Sequence, residues 1–226
     1  MFKACIRPGT LSILKGQRIS KVLRAKNFYL AGGTGLALQL GHRISDDLDF
    51  FTGDSFEPQE LLLILGETGE YTVSGTAPGT LHLVFDEVAK ASFLFYPYRL
   101  IFPVLNFEGC TVADYRDIAA MKIITASQRG SKKDFVDLYF LLQRKVSIDN
   151  LKHFVEKKFA GVKYSWPHLV KSLGYFADAE EDPPPLLVSD GEVRELTSQA
   201  WSQVKEFLLG VQESALRRIQ VEGRNT

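Results

Sequence analysis

Two aspartates separated by one residue, Asp47 and Asp49, are the residues whose types and spacing point most directly to chemistry. The apolar residues Leu48 and Phe50 alternate with them, which predicts a strand carrying both carboxylates on one face. Neighbouring carboxylates repel each other and lose solvation, so an apolar strand gains nothing from them. A bound Mg²⁺ (or Mn²⁺) relieves that repulsion, because such cations prefer hard oxygen ligands. The cation also takes phosphate oxygens of the substrate into its coordination shell. The pair therefore predicts a metal-assisted phosphoryl or nucleotidyl displacement.

A glycine pair upstream of the aspartates is the complementary feature. Gly32 and Gly33 follow a short apolar run and precede Thr34. Their backbone N–H groups can approach phosphate oxygens closely because no Cβ intervenes, and a helix starting at Thr34 adds the positive end of its dipole. Arg43 and Ser45, just before the carboxylates, are further candidate contacts to a phosphate. This group of residues is predicted to bind a nucleotide.

The elements that must position these residues follow from hydrophobic periodicity and from glycine and proline signals. We predict strands at 28–31, 48–51, 80–85 and 91–98, and helices at 11–26, 34–40, 57–66, 114–129, 133–143, 149–160, 165–176 and 192–219. The expected class is α+β: a small mixed sheet flanked by helices over residues 1–110, then a mainly helical region over residues 111–226. The helical region is expected to complete the cleft of the active site.

The composition excludes several classes of protein. The chain has 226 residues, 45% of them hydrophobic, and its 27 Lys and Arg balance 27 Asp and Glu, which is typical of a folded domain and not of a disordered chain. Cys5 and Cys110 are too few for a disulfide framework. No apolar stretch is long enough to cross a bilayer. We expect a soluble, cytoplasmic protein with no membrane partner.

A second block of charged residues lies in the predicted helices. Lys122 and Arg129 are seven residues apart, so they share a helix face where they could hold a triphosphate or an RNA backbone. Lys133 and Asp137 are four apart and can pair, while Asp134 and Asp137 are placed to orient Lys122 or Arg129. Residues 116–175 hold 12 basic and 5 acidic residues. The alternative is a network of salt bridges that only holds two helices together.

These two blocks carry a resemblance to a known family. The glycine pair, thirteen intervening residues and then Asp47-Leu-Asp49-Phe resemble the signature of the nucleotidyltransferase superfamily that includes DNA polymerase β. Residues 31–51 as a whole resemble the AbiEii/AbiGii toxin-like branch, the toxins of bacterial abortive-infection and toxin–antitoxin systems. Lys122, Arg129 and the run Lys133-Asp134-Phe-Val-Asp137-Leu resemble the downstream pattern of that branch. Together the two blocks cover about residues 28–145.

The resemblance implies a fold of the nucleotidyltransferase type and a Mg²⁺-dependent transfer of NMP from an NTP to an acceptor. The acceptor would be a tRNA 3′ end or a protein hydroxyl, and a cognate antitoxin would be a partner. The implied residues are Asp47, Asp49, Lys122 and Asp134 for catalysis, with the first two as metal ligands, and Gly32, Gly33, Thr34, Arg43, Ser45, Arg129 and Lys133 for nucleotide binding.

Active members of the superfamily usually carry a third carboxylate on a later strand. The predicted strand 91–98 has none, and Ser92 stands where that group is expected. Asp86 and Glu87 are nearby but are predicted to lie in a hairpin turn. In those members the third carboxylate activates the attacking hydroxyl. Here a base from elsewhere, such as Asp134, would have to do so.

Two other functions remain open at this point. One is a catalytically weak nucleotide-binding module whose helical half is a docking surface. The other is a small-molecule nucleotidyltransferase of the type that modifies aminoglycosides. The four histidines show no metal-ligand spacing and are predicted to be structural or surface residues: His42, His82, His153 and His168.

Overall fold

The chain forms two compact units, Met1–Ile118 and Ala119–Thr226. The structure, a computed structural model, describes residues 1–66, 71–85 and 89–222. Its elements have the α+β composition that the sequence predicts.

The first unit is built around a mixed β-sheet. Its helices are α1 (Pro8–Lys15), α2 (Gln17–Ala25), α3 (Gly32–Leu40) and α4 (Pro58–Leu65), and a 3₁₀ turn, Lys3–Cys5, precedes them. Its strands are β1 (Tyr29–Leu30), β2 (Leu48–Thr52), β3 (Tyr71–Ala77), β4 (Thr80–Phe85), β5 (Ala89–Phe95), β6 (Leu105–Phe107) and β7 (Cys110–Val112). Within the described residues these seven strands lie in the order β3-β4-β5-β2-β1-β7-β6. β2 is parallel to β5 and antiparallel to β1, and β1 is parallel to β7.

The two faces of this sheet differ in character. Side chains alternate between the faces along β2, β4 and β5, and one set is buried while the other is largely half-buried. The buried set includes Phe50 and Phe93, whose rings stack with centroids 5.2 Å apart. Residues of α1, α2 and α4 belong to the same core, among them Leu14, Val22 and Leu61. The opposite face of these strands is the more open one, and we call it the open face.

The second unit is mainly helical. Its elements are α6 (Lys132–Arg144), α7 (Ile148–Lys158), α8 (Trp166–Ser172), the hairpin β8 (Leu186–Ser189) and β9 (Glu192–Glu195), and α9 (Ser198–Glu222), while α5 (Tyr115–Gln128) spans the boundary between the units. The hydroxyls of Ser131 and Ser147 cap α6 and α7 by accepting the backbone N–H of the third helical residue. Phe135, Phe176 and Trp201 pack edge to face in its core, with centroids of Phe135 and Phe176 4.8 Å apart.

Two predicted helices differ most from the observed elements, and the helix predicted at 165–176 ends earlier, at Ser172. The predicted helix at 192–219 is wrong at its start, because residues 192–195 form β9 and the helix begins at Ser198. The turn at Asp190 and Gly191, with φ of 53° and 79°, reverses the chain into the hairpin. The predicted helix at 11–26 is two helices, α1 and α2, because Gly16 is extended, with φ −62° and ψ 132°. Strands β3, β6, β7, β8 and β9 were not predicted, because they are short or lack alternation.

The cysteines and the helices can be compared with the two classes that the sequence argued against, disulfide-rich and membrane-spanning proteins. Cys5 and Cys110 are both free and buried. Burial raises the pKa of the Cys110 thiol to about 12, so it stays protonated at neutral pH. Among the described helices, none combines the length and the apolar character that a membrane span needs.

The loop that follows β5 is held by one buried carboxylate. Asp117, in the first turn of α5, has no exposed surface, and it accepts the backbone N–H of Ile101 (3.1 Å) and of Phe102 (3.0 Å). Because buried N–H groups without acceptors are costly, this contact stabilises the loop.

We expect Asp117→Ala to lower the free energy of unfolding by at least about 2 kcal/mol, because two backbone donors lose a charged acceptor. Urea unfolding followed by circular dichroism measures this. Asp178→Ala, at an exposed carboxylate, is the matched control and should stay within about 0.5 kcal/mol of the unmodified protein. Equal stability of the two variants would contradict the role given to Asp117.

Candidate active site

The two aspartates lie where β2 begins, close to the start of α3. Asp47 directly precedes β2 and is exposed, and Asp49 is the second residue of β2 and is half-buried on the open face. The carbonyl of Asp49 accepts the backbone N–H of Ala31 (3.0 Å), and the carbonyl of Asp47 accepts the hydroxyl of Thr34. The backbone around the carboxylates is therefore tied to the first turn of α3.

The glycine pair forms the first turn of α3, where the sequence predicted a turn before the helix. Gly32 has φ +61°, a left-handed conformation that glycine adopts at little cost. A Cβ on Gly32 would overlap Oδ2 of Asp49; one on Gly33 would overlap Nη2 of Arg43 and lie 3.1 Å from Oγ of Ser45. The N-cap residue, Ala31, has no side-chain hydrogen bond to the first N–H groups of α3. The missing Cβ atoms let a carboxylate and a guanidinium approach these groups.

Three of the predicted phosphate contacts lie beneath this turn. Thr34 is 0% exposed and Arg43 is 2% exposed, and Ser45 is also buried. The hydroxyls of Thr34 and Ser45 are hydrogen-bonded to each other (2.9 Å), with Ser45 as the donor because Thr34 gives its one hydrogen to the carbonyl of Asp47. Nη1 of Arg43 donates to the carbonyl of Ile44 (3.0 Å). In this arrangement the three side chains shape the turn, while the half-buried backbone of Gly32 and Gly33 is its more accessible part.

A row of three polar side chains crosses the open face from β2 to β4. Asp49 is the register partner of Ser92 in the parallel pair β2–β5, and Ser92 is the partner of His82 in the antiparallel pair β5–β4. Nδ1 of His82 lies 3.0 Å from Oγ of Ser92. All three residues are half-buried. We call Asp49, Ser92 and His82 the polar row. Sequence reasoning took His82 for a structural or surface residue and missed it.

An aromatic cluster continues the open face beside the polar row. Phe51, two residues after Asp49, stacks on Tyr29 with centroids 6.0 Å apart and meets Tyr96 edge to face at 5.4 Å. Burial raises the pKa of the Tyr29 and Tyr96 phenols, so both remain protonated at neutral pH. The face therefore changes from polar to aromatic along β2.

The fit of a divalent cation rests on the chemistry of the donor set. Asp47 and Asp49 offer two hard carboxylate groups, and Mg²⁺ completes its octahedral shell with water and substrate phosphate. Their neighbours are backbone N–H groups that suit those phosphates. Within the part of the chain that the structure describes, no cluster of three or more His, Cys, Asp or Glu could hold a metal on its own. Asp86 and Glu87 lie outside the described residues.

In the second unit, a buried ion pair joins α5 to α6. Nζ of Lys122 lies 2.8 Å from Oδ1 of Asp134 and 2.6 Å from Oδ2 of Asp137, and the Lys122 side chain is only 9% exposed. Burial alone would raise the pKa of the Asp134 carboxyl. The charge of Lys122 and hydrogen bonds from Lys122 and Ser131 outweigh that effect, so the pKa lies below its ordinary value. The Lys122 charge is thus balanced by carboxylates within its own unit.

Two other predicted cations are more accessible. Arg129 places Nε 3.6 Å from Oδ2 of Asp134, and its side chain is 72% exposed. Lys133 is exposed. Asp137 pairs with Lys122, and the expected pair with Lys133 does not form in the described structure.

The predicted site residues therefore fall into two groups. The first unit holds the metal-ligand candidates and the phosphate-binding turn: Gly32, Gly33, Thr34, Arg43, Ser45, Asp47 and Asp49. The second unit holds the charged block: Lys122, Arg129, Lys133 and Asp134.

Comparison with known proteins gives consistent matches. The family described as "Nucleotidyl transferase AbiEii toxin, Type IV TA system" matches residues 13–79 and 84–220. The uncharacterized protein aq_aa25 of Aquifex aeolicus (strain VF5) is 38% identical over 186 residues, which are 80% of this chain and 84% of that protein.

Two solved structures are similar to the chain at low sequence identity. MenT4, a nucleotidyltransferase toxin from Mycobacterium tuberculosis H37Rv, superposes with a TM-score of 0.51 at 18% identity, covering 81% of this chain and 75% of its own. JHP933 from Helicobacter pylori gives a TM-score of 0.48 at 15% identity, covering 97% and 98% of the two chains. The family match spans most of the sequence, and it includes the glycine turn and the two aspartates where β2 begins. The chain belongs to the AbiEii family of nucleotidyltransferase toxins.

Proposed function

We propose that this protein transfers a nucleoside monophosphate from an NTP to an acceptor hydroxyl, as the toxin of a toxin–antitoxin pair. The observation that carries the proposal is the approach of the Asp49 carboxylate to the bare backbone of Gly32 at the start of α3. A metal ligand and phosphate-binding N–H groups are thereby adjacent, as binding a metal–triphosphate requires. Family membership supports the toxin role and a cognate antitoxin as partner.

Each predicted site residue of the first unit has a part in the proposed reaction. The N–H groups of Gly32 and Gly33 bind phosphate oxygens, and the buried guanidinium of Arg43 adds positive charge beneath them. Asp47 and Asp49 hold Mg²⁺ or Mn²⁺. When bound, the cation neutralises charge on the triphosphate and on the pyrophosphate that leaves. Thr34 and Ser45 keep the turn in shape through their hydrogen bond.

The charged block of the second unit is assigned by accessibility. Arg129 and Lys133 are exposed and can contact the triphosphate or an acceptor backbone. Lys122 and Asp134, which the family pattern suggests as catalytic, we assign to positioning, because Lys122 is buried between two carboxylates. Asp134 already accepts from Lys122 and Ser131.

The proposed acceptor is the 3′ end of an RNA such as tRNA, in the cytoplasm where both substrates occur. The excess of basic residues in 116–175, 12 against 5 acidic, supports an RNA backbone over a cationic aminoglycoside. Label on a protein instead of RNA would redirect the proposal to a protein hydroxyl.

One observation favours a second candidate, a nucleotide-binding module with weak transfer. The β5 residue beside Asp49 is Ser92, which cannot act as a metal ligand of carboxylate strength. Tight binding of Mg²⁺–NTP without any transfer would support this second function.

We expect Asp47→Asn and Asp49→Asn each to reduce label transfer at least about 100-fold, because each removes a charged metal ligand. The assay combines four α-labelled NTPs, Mg²⁺, total tRNA and cell protein, resolved on gels. Asp178→Asn, at an exposed carboxylate, is the matched control and should transfer normally. Transfer by both variants at the unmodified rate would refute a metal site at the pair.

A paired experiment separates the role of Lys122, in α5, from that of Arg129, which directly follows α5. Lys122→Met should lower the free energy of unfolding by about 3–5 kcal/mol, because two buried carboxylates lose their partner. Arg129→Gln should change it by less than about 0.5 kcal/mol, yet weaken nucleotide or RNA binding several-fold. Urea unfolding and fluorescence titration with Mg²⁺–NTP or tRNA measure both effects. A stable Lys122→Met, or unchanged binding by Arg129→Gln, would contradict the corresponding assignment.

A further inference from the structure

We propose that Ser92 and His82 form a proton relay that takes the proton from the attacking acceptor hydroxyl. This inference rests on the proposed function, since it supplies a step that nucleotidyl transfer requires. A hydroxyl that attacks phosphorus must lose its proton, and a positioned base that takes this proton raises the rate. Asp47 and Asp49 are occupied in holding the cation, so the base has to be another group near them.

The register of the sheet places Ser92 and His82 beside the metal-ligand candidate. Ser92 is the direct partner of Asp49, and His82 is the direct partner of Ser92. Adjacent strands lie about 4.8 Å apart, and register partners project from the same face. The relay therefore starts one strand from Asp49 and ends two strands away.

The contacts of the His82 ring suit a proton acceptor. Its Nδ1 lies 3.0 Å from Oγ of Ser92, which is its hydrogen-bond partner within the described residues. Gly75, the register partner of His82 on β3, has no side chain to cover the imidazole. Both Ser92 and His82 are half-buried, so an acceptor hydroxyl can reach Ser92 while the pair is partly shielded from water.

Three other kinds of base among the described residues are less suitable. His42 has no exposed surface. The Cys5 and Cys110 thiols are buried, and burial raises the pKa of both. Asp134 accepts from Lys122 and Ser131 within its own unit.

Attack on the nucleotide and proton transfer through the pair occur together. The acceptor oxygen attacks the α-phosphorus and forms the new P–O bond, while its proton passes to Oγ of Ser92. The proton of Ser92 passes at the same time to Nδ1 of His82, which requires the neutral ring with its hydrogen on Nε2. The bond from the α-phosphorus to the bridging oxygen breaks, and pyrophosphate leaves with the electron pair.

The test measures the single-turnover rate of label transfer together with the affinity for Mg²⁺–NTP. We expect His82→Gln and Ser92→Ala each to slow transfer about 10²- to 10³-fold with unchanged nucleotide affinity. Ser92→Asp in the His82→Gln background should recover at least tenfold, because a carboxylate accepts the proton directly. His168→Gln, at an exposed histidine of the second unit, is the matched control and should transfer normally.

The outcomes separate this inference from the function on which it rests. No transfer by the unmodified protein with any acceptor would overturn both. Normal transfer by His82→Gln and Ser92→Ala would overturn the relay and leave the proposed function intact. A loss that Ser92→Asp does not recover, or one that comes with weakened nucleotide affinity, would also overturn the relay, because it would give the pair a structural role.

Discussion

The close approach of the Asp49 carboxylate to the backbone of Gly32 is the constraint on which the site depends. A side chain at Gly32 would occupy the position of Oδ2, and the φ of +61° there disfavours any residue with a Cβ. Gly33 allows the same approach for the guanidinium of Arg43. The first N–H groups of α3 are thus bracketed by a carboxylate that suits a cation and a buried positive charge that suits an anion. A metal–triphosphate satisfies both requirements at once.

The core face of the sheet holds this arrangement in place. Phe50 and Phe93 are fully buried on β2 and β5, and each contributes about 2–3 kcal/mol through burial. A slip of either strand by one residue would turn its own ring to the open face, so the packing of the two rings specifies the register. That register sets Asp49 beside Ser92, and the pairing of β5 with β4 sets Ser92 beside His82. Apolar packing on one face therefore determines the chemistry available on the other.

Local patterns in the sequence were sufficient to predict several single elements of the fold. The alternation around Asp47 and Asp49 predicted β2, and helical periodicity predicted α5 and α6, because these signals lie within one element. The family resemblance drew attention to Ser92, where a third carboxylate is expected, but His82 was not predicted, since it meets Ser92 and Asp49 only through strand pairings that join distant segments. The burial of Lys122 was not evident either, because the spacing of charges along a helix does not say which face is covered. The start of α9 was misplaced because the apolar residue Val193 fits a helical stripe and also a hairpin strand.

A crystal structure of the full chain with Mn²⁺ and an NTP analogue that cannot be cleaved at the α-phosphorus would test the central claim most directly. Anomalous scattering from Mn²⁺ locates the cation independently of the protein. We expect a peak about 2–2.5 Å from carboxylate oxygens of both Asp47 and Asp49. We also expect phosphate oxygens within hydrogen-bond distance of the Gly32 and Gly33 N–H groups. A bound nucleotide whose phosphates lie away from the glycine turn, with no manganese at the aspartate pair, would contradict the claim.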